Sequence, residues 1–445
     1  MFDMTYRRIL AIALAALCAA CGPERTLDPD AFEPIKIGLV ISRSGALGGD
    51  GPGWEDASRL AALEVNAAGG LLGGHPVELI VVDDETNTGD ADFHTALANE
   101  LIGDGVVGVV GAAASSISLG VAAVLTPARI PQISCCSTSD RVTAFNEALA
   151  PEGRFLFRTI APDSLQSLVV ALTAEALACT NVAILHLNDD YGQPFGEAIE
   201  AALRADGVTV AIRVPYMEGQ PSYATEVGMI MAAAPDCVAL VAFPGSGGTI
   251  LRDWNGAGGS TDTTWIGTDG IRAPAFIEAT GDPALVRNFY GTSPITDATT
   301  PEYNSYSERF RASLSGESPI PFSSNQYDAT ALLMLAIERA GTTDGAAVRD
   351  ALREVSTRQS EPDFERPGEL ADALKELGRG RDIDYQGASG NVDFDELGNV
   401  ISPFEIWRYD APGSTAMCTG ARTMLTGGLG SFCRFRIISP EEIRP

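Results

Sequence analysis

The stretch IKIGLVISRSGALGGDGPGWEDASRLAALEVNAAGGLLGGHPVELIVVDD, residues 35–84, reads as one complete strand–helix–strand unit. In Ile35–Ser42 the residues Ile35, Ile37, Leu39, Val40 and Ile41 leave little polar surface, as in a strand covered on both faces. Trp54–Ala68 has helical spacing, with Ala57, Leu60 and Ala61 on one side and Gly69-Gly70 stopping it. Val77–Val82 is the next buried run and ends at Asp83-Asp84. A buried strand, a helix and a second buried strand predict a parallel α/β sheet.

The alternation continues outward. Asp90–Gly103 and Ser115–Leu125 read as helices, Val106–Val110 and Gln132–Ser134 as strands. After Asp163 it restarts: Leu165, Leu168, Val169 and Leu172 fall on one helical face. Strands are expected at Val182–Leu187, Val208–Val214, Val238–Phe243 and Thr264–Thr268, with helices at Phe195–Ala205, Ser222–Ala233 and Gly248–Asn255. This second set has its own core. At 445 residues the chain is too long for one ordinary domain, so two α/β lobes are expected. Later, Ala329, Leu332, Leu333, Ala336 and Ile337 form a strong helical stripe, and Gly368–Leu377 gives a helical patch in the polar run Glu361–Arg381. Asn391–Phe394 and Pro403–Tyr409 read as terminal strands, and Asp410–Pro445 as an additional tail.

Acidic residues outnumber basic ones, 59 to 30, for a formal net charge of −29. Such a chain repels nucleic acid. The acidity serves solubility; the alternative is attraction of cations. At the start, Arg7 and Arg8 precede the apolar run Ile9–Ala20, too short to span a bilayer. Leu17-Cys18-Ala19-Ala20-Cys21 resembles a bacterial lipobox, with Cys18 where Leu is usual. Residues 1–21 are then a signal peptide, Cys21 the lipidated mature N-terminus and 22–34 a tether. An ordinary signal peptide with an incidental cysteine is the alternative.

Six further cysteines belong to a chain whose compartment permits oxidation. Cys179 and Cys237 each precede an apolar run and lie level if those runs are neighbouring parallel strands, which pairs them. Cys418 and Cys433 bracket a Gly-rich loop as a second pair. The vicinal Cys135-Cys136 is expected to modulate a pocket, to be oxidised or simply to pack, with packing the default.

Catalytic signatures are missing. The glycines from Gly45 to Gly53 lack a phosphate-binding Gly-x-x-x-x-Gly-Lys, and no nucleophile elbow surrounds Ser246. His75, His94 and His186 stand singly, which suggests neither a zinc site nor a serine triad. The expectation is a binding protein with no enzyme activity, cofactor or metal.

Three stretches carry a family signature. The first is Ser44-Gly45, then Ala67-Ala68-Gly69-Gly70-Leu71-Leu72-Gly73, then Asp83-Asp84. The second is Gly111 through Ser115-Ser116, Ile130-Pro131-Gln132-Ile133-Ser134 and Thr138-Ser139. The third is Phe157-Arg158-Thr159, Asp163-Ser164-Leu165-Gln166 and Asp190-Tyr191-Gly192. Together they resemble the branched-chain amino-acid-binding proteins of ABC transporters, from about Ile35 to Tyr409. The resemblance implies the type I periplasmic-binding fold: two Rossmann-like lobes joined by a three-crossing hinge, with the ligand between them. Lobe one would be 35–161 and 293–389, lobe two 162–292 and 390–409, followed by the tail 410–445.

The resemblance also implies a site. Ser115, at or just before a helix start, and Thr138 would take a ligand carboxylate, and the backbone of Cys136 would supply a carbonyl acceptor. Asp163 and Asp269 would take an ammonium, and Tyr191 would cover the ligand. Trp54 is expected as a stacking wall, because Gly48-Gly49 stands where the family has an aromatic. Each has a structural alternative: a helix N-cap for Ser115 or Asp163, a turn for Thr138 or Asp269, and lobe packing for Tyr191. The implied function is capture of an amino-acid-like ligand and delivery to an ABC transporter permease, at the periplasm or cell surface and lipid-anchored to a bacterial membrane. A ligand sensor of the same fold is the alternative.

Overall fold

A computed structural model of the chain describes residues 32–313, 316, 318–357, 369–412, 418, 420, 422–425 and 429–443. The expected signal peptide, Cys21 and most of the tether lie outside the described residues, as do residues 358–368 of the polar run.

The first sheet grows around β1 (Ile35–Ile41), whose side chains are buried except for Lys36. β1 pairs in parallel with β2 (Val77–Asp83) on one side and β3 (Gly108–Val110) on the other. β4 (Gln132–Ser134) and β5 (Leu156–Arg158) complete the order β2-β1-β3-β4-β5. The connecting helices are α1 (Gly51–Ala67), α2 (Ala91–Asp104), α3 (Ser115–Leu125) and α4 (Asp140–Glu147). Local chemistry sets their ends: the Asp90 carboxylate accepts from Phe93 N at the start of α2, and Gly105 closes that helix in the left-handed region.

The chain then crosses into α5 (Asp163–Ala176) and the second sheet. There β6 (Asn181–Leu187), α6 (Gly192–Ala205), β7 (Thr209–Tyr216), α7 (Ala224–Ala232), β8 (Cys237–Val241), α8 (Pro244–Gly256), β9 (Thr264–Gly267), α9 (Pro274–Thr280) and β10 (Phe289–Pro294) alternate. Within this set of five strands every pairing is parallel.

A second crossing returns the chain through α10 (Pro301–Ser313), α11 (Ser323–Ala340), α12 (Gly345–Ser356) and α13 (Leu370–Gly378). α11 is buried from Ser323 to Ile337 and covers the first sheet. Gln326 and Thr330 donate to the Ser58 hydroxyl of α1 at 2.8 and 2.9 Å. Leu333 presses so closely on Gly108 that a Cβ there would lie 2.7 Å from its side chain. Any larger residue at 108 would push the helix off the sheet.

The third crossing leads to β11 (Phe404–Asp410), antiparallel to β10. The expected tail is not a mere appendage: β12 (Arg422–Met424) and β13 (Ser431–Ile438) extend the second sheet to the order β12-β13-β11-β10-β9-β8-β6-β7. Without β13 the long edge of β11 would stay unpaired. Trp407, fully buried, stacks on Phe289 and meets the edge of Phe432 from β13.

Two further expectations change. Residues 391–394 are not a strand, and Phe394 packs on Phe157 with ring centres 5.1 Å apart. Residues 394–399, expected in lobe two, lie against the first sheet. Arg158 fixes them there: its Nε donates to Asn399 Oδ1 and its backbone N to Gly398 O, both at 2.9 Å. The last crossing therefore comes near Pro403, later than residue 390.

Cys179–Cys237 and Cys418–Cys433 form disulfides, with Cα separations of 5.8 and 5.6 Å. Cys135 and Cys136 are bonded to each other, which is the oxidised alternative and not the default of simple packing.

Candidate functional site

A cavity opens between the two sheets, beyond the carboxyl ends of their strands, where ligands bind in open α/β sheets. Six of the seven expected ligand residues line it: Trp54, Ser115, Cys136 and Thr138 from the first lobe, Tyr191 and Asp269 from the second. The space open to the centre of a water molecule is about 50 Å³. One water needs about 10–15 Å³ on that measure, so the closed cleft admits a small ligand. The lobes touch beside it: Ser116 Oγ accepts from Asp190 N at 3.0 Å, Ser139 Oγ donates to Asp190 O, and Arg141 pairs with the Asp190 carboxylate.

Ser115 is the first residue of α3, and Ala114 holds the N-cap position. The N-cap alternative for Ser115 therefore does not hold. Its hydroxyl sits beside the free N–H groups of a helix start, a favourable place for a carboxylate. The loop from Ser137 to Ser139 is shaped by Arg158, which is fully buried and donates to the carbonyls of Ser137, Thr138 and Ser139 at 3.2, 2.8 and 2.9 Å. Arg158 is a positioning residue that lay unremarked inside Phe157-Arg158-Thr159. The Thr138 hydroxyl, 1% exposed, has no hydrogen bond of good geometry and lines the cavity.

Asp163 is the exception among the expected residues. It opens α5 immediately behind Thr138, to whose carbonyl its backbone N donates at 2.8 Å, and it is not part of the lining. It is fully buried, and neither carboxylate oxygen has a well-placed partner. Burial, then Asp269 and Asp140, push its carboxyl well above the ordinary range; the Thr138 hydroxyl beside it and, more weakly, Arg158 oppose this, the Arg158 hydrogen bonds being spent elsewhere.

Asp269 begins a short turn after β9 and faces the cavity. Burial pushes it up to about 6, against the hydrogen bond from Tyr191. The Tyr191 hydroxyl lies 3.0 Å from Thr268 Oγ1, and its ring stacks on Phe243 with centres 5.8 Å apart. Burial keeps the phenol protonated, and the two carboxylates add to that. Trp54 donates its indole N–H to Pro321 O at 2.9 Å, which fixes the ring as a wall.

Two charged lining residues were not foreseen. Arg272 pairs with Glu405, which is fully buried and also accepts from Arg434 of β13 at 2.7 Å. Asp50 lies at the N-cap of α1 within the Gly-rich turn. Its carboxylate has no hydrogen bond or ion pair among the described residues, and burial alone pushes it up to about 6. An acid placed directly before a Pro-containing helix start was the available signal.

The chain resembles known proteins along most of its length. It is 26% identical over 411 residues to the Leu/Ile/Val-binding protein BraC3 of Rhizobium johnstonii, covering 92% of this chain and 98% of that one. It is 27% identical over 379 residues to the chemotactic signal transduction system substrate-binding protein BasB of Halobacterium salinarum, covering 82% and 84%. The solved leucine-binding protein LivK of Thermotoga maritima shares the fold, with TM-score 0.72 at 20% identity over 92% of this chain and 99% of that one. Residues 34–369 match the family described as periplasmic binding protein, and with both lobes and the cleft between them in place, this chain belongs to that family.

Proposed function

We propose that this chain is an extracytoplasmic solute-binding protein that closes its lobes on a small ligand bearing both a carboxylate and an ammonium, and that the closed form docks on an ABC transporter permease. The observation that carries the reading is the pair Asp163 and Asp269, buried carboxylates with no directly bonded cation. Buried carboxylates whose charge no cation meets call for one from outside the protein. An ammonium meets the two acids, while Ser115, Thr138 and the start of α3 suit a carboxylate. The cavity lining contains no histidine and no nucleophile–base pair, which favours binding over catalysis. Lipidation of Cys21 would hold the protein at a membrane near its permease.

A second reading is that the closed form reports the ligand to a signalling partner. The likeness to BasB favours it.

The test is a thermal-shift screen of the protein with amino acids, their deaminated analogues and small neutral sugars. A ligand at a hundred times its Kd stabilises the folded state by about 2.7 kcal/mol. Amino acids should shift the transition and deaminated analogues much less. A shift from neutral sugars alone would overturn the reading.

A further inference from the structure

Asp50 is unused by the head-group chemistry above. It lines the cavity from the first lobe, as do Trp54 and Phe322. The Trp54 indole, tied to Pro321 O, holds this corner together. The carboxylate is half-buried and meets no donor and no cation among the described residues. Arg272 does not compensate it, since that guanidinium is engaged by the fully buried Glu405.

The charge of the whole cleft points the same way. Asp50 and Asp269 line it and Asp163 stands directly behind it, while the lining Arg272 is drawn to Glu405, a carboxylate it shares with Arg434. A zwitterion with a neutral side chain brings one ammonium, which Asp163 and Asp269 share. It leaves Asp50 buried against an apolar group, the costly arrangement. An acid facing such a cavity, with Trp54 and Phe322 also in its lining, is suited to a cation through ionic attraction.

We propose that the ligand carries a second cationic group, received by Asp50, so that the preferred class is a short amino acid with an amine on its side chain. The inference rests on the amino-acid reading of the site. The cavity's small volume favours short side chains over long ones.

Calorimetric titration of the full chain near neutral pH tests this with two matched pairs. One is 2,4-diaminobutyrate against norvaline; the other is ornithine against norleucine. In each pair a side-chain ammonium replaces a methyl group. The unmodified protein should bind the diamino member about tenfold tighter or more. In Asp50→Asn the preference should fall toward unity, with affinity for the neutral member unchanged or improved. Asp50 makes no side-chain cap hydrogen bond, so this variant removes charge without removing a cap. Equal affinities in the unmodified protein, or a preference that survives in Asp50→Asn, would overturn the second-cation proposal and leave the amino-acid reading intact. Failure of all four compounds to bind would overturn both.

Discussion

The Tyr191 hydroxyl donates to Asp269 Oδ1 at 2.9 Å, so the acid that faces the cavity is held in place and kept acidic by a phenol that cannot itself ionise at neutral pH. Tyr191→Phe keeps the ring on Phe243 and removes this donor. Asp269 should then protonate more readily, and ligand affinity should fall by about tenfold. Titration calorimetry of the variant at neutral pH measures this. An unchanged affinity would mean that Asp269 takes no part in holding the ligand.

On the proposed function, Asp163 is expected to trade stability for binding. Its folded carboxyl lies well above the ordinary range, and that of Asp269 lies up to about 6, whereas unfolded carboxyls titrate near about 4. Both shifts are upward. The stability these groups contribute is therefore fully present below about pH 4 and is lost as pH rises through the folded values. Asp163→Asn should make the ligand-free protein more stable at pH 7.5, by about 1–3 kcal/mol, while weakening amino-acid binding by about tenfold to a hundredfold. Urea unfolding with and without ligand separates the two effects. A ligand-free variant less stable than its parent would show that Arg158 holds Asp163 in its charged form.

Glu405 accepts from both Arg272 and Arg434, and no part of it reaches solvent. Glu405→Ala strands two guanidinium groups, one in the cavity wall and one in β13. Loss of one member of a buried ion pair costs about 3–5 kcal/mol. The urea midpoint should drop accordingly, and the C-terminal segment should become sensitive to limited proteolysis before the rest. A cost under about 1 kcal/mol would show that water already screens the cluster.

Cys21→Ala should release the protein from the membrane fraction into the soluble one. A lipid chain on Cys21 gains membrane affinity from each buried methylene, about 0.8 kcal/mol apiece. Continued membrane association of the variant would assign the attachment to something else.

Much of the fold was legible because its signals are local. β1 and β8 are nearly continuous apolar runs, and α11 carries a stripe that reads at a glance. The site residues Ser115, Thr138, Tyr191 and Asp269 came from the family resemblance rather than from a local signal, and the structure places them at strand ends, where an α/β sheet presents its loops. What stayed hidden depends on distant partners. Arg272 is comprehensible only with Glu405 and Arg434 beside it. β13 reads as a charged tail until Trp407 gives Phe432 something to pack on. Residues 391–394 have the alternation of a strand, yet Arg158 claims the neighbouring Gly398 and Asn399 and leaves them no sheet partner.

The placement of α11 has a consequence for how the chain is made. The first five strands emerge early, but the helix that covers them follows the whole of the second sheet. Until Leu333 can settle on Gly108, the early half has no complete core, and its apolar face stays open to chaperones. The distant contacts that close it make folding slow. A chain that must thread through a secretion channel before it folds gains time from that delay, and moving α11 forward by circular permutation should shorten the interval in which it can be exported.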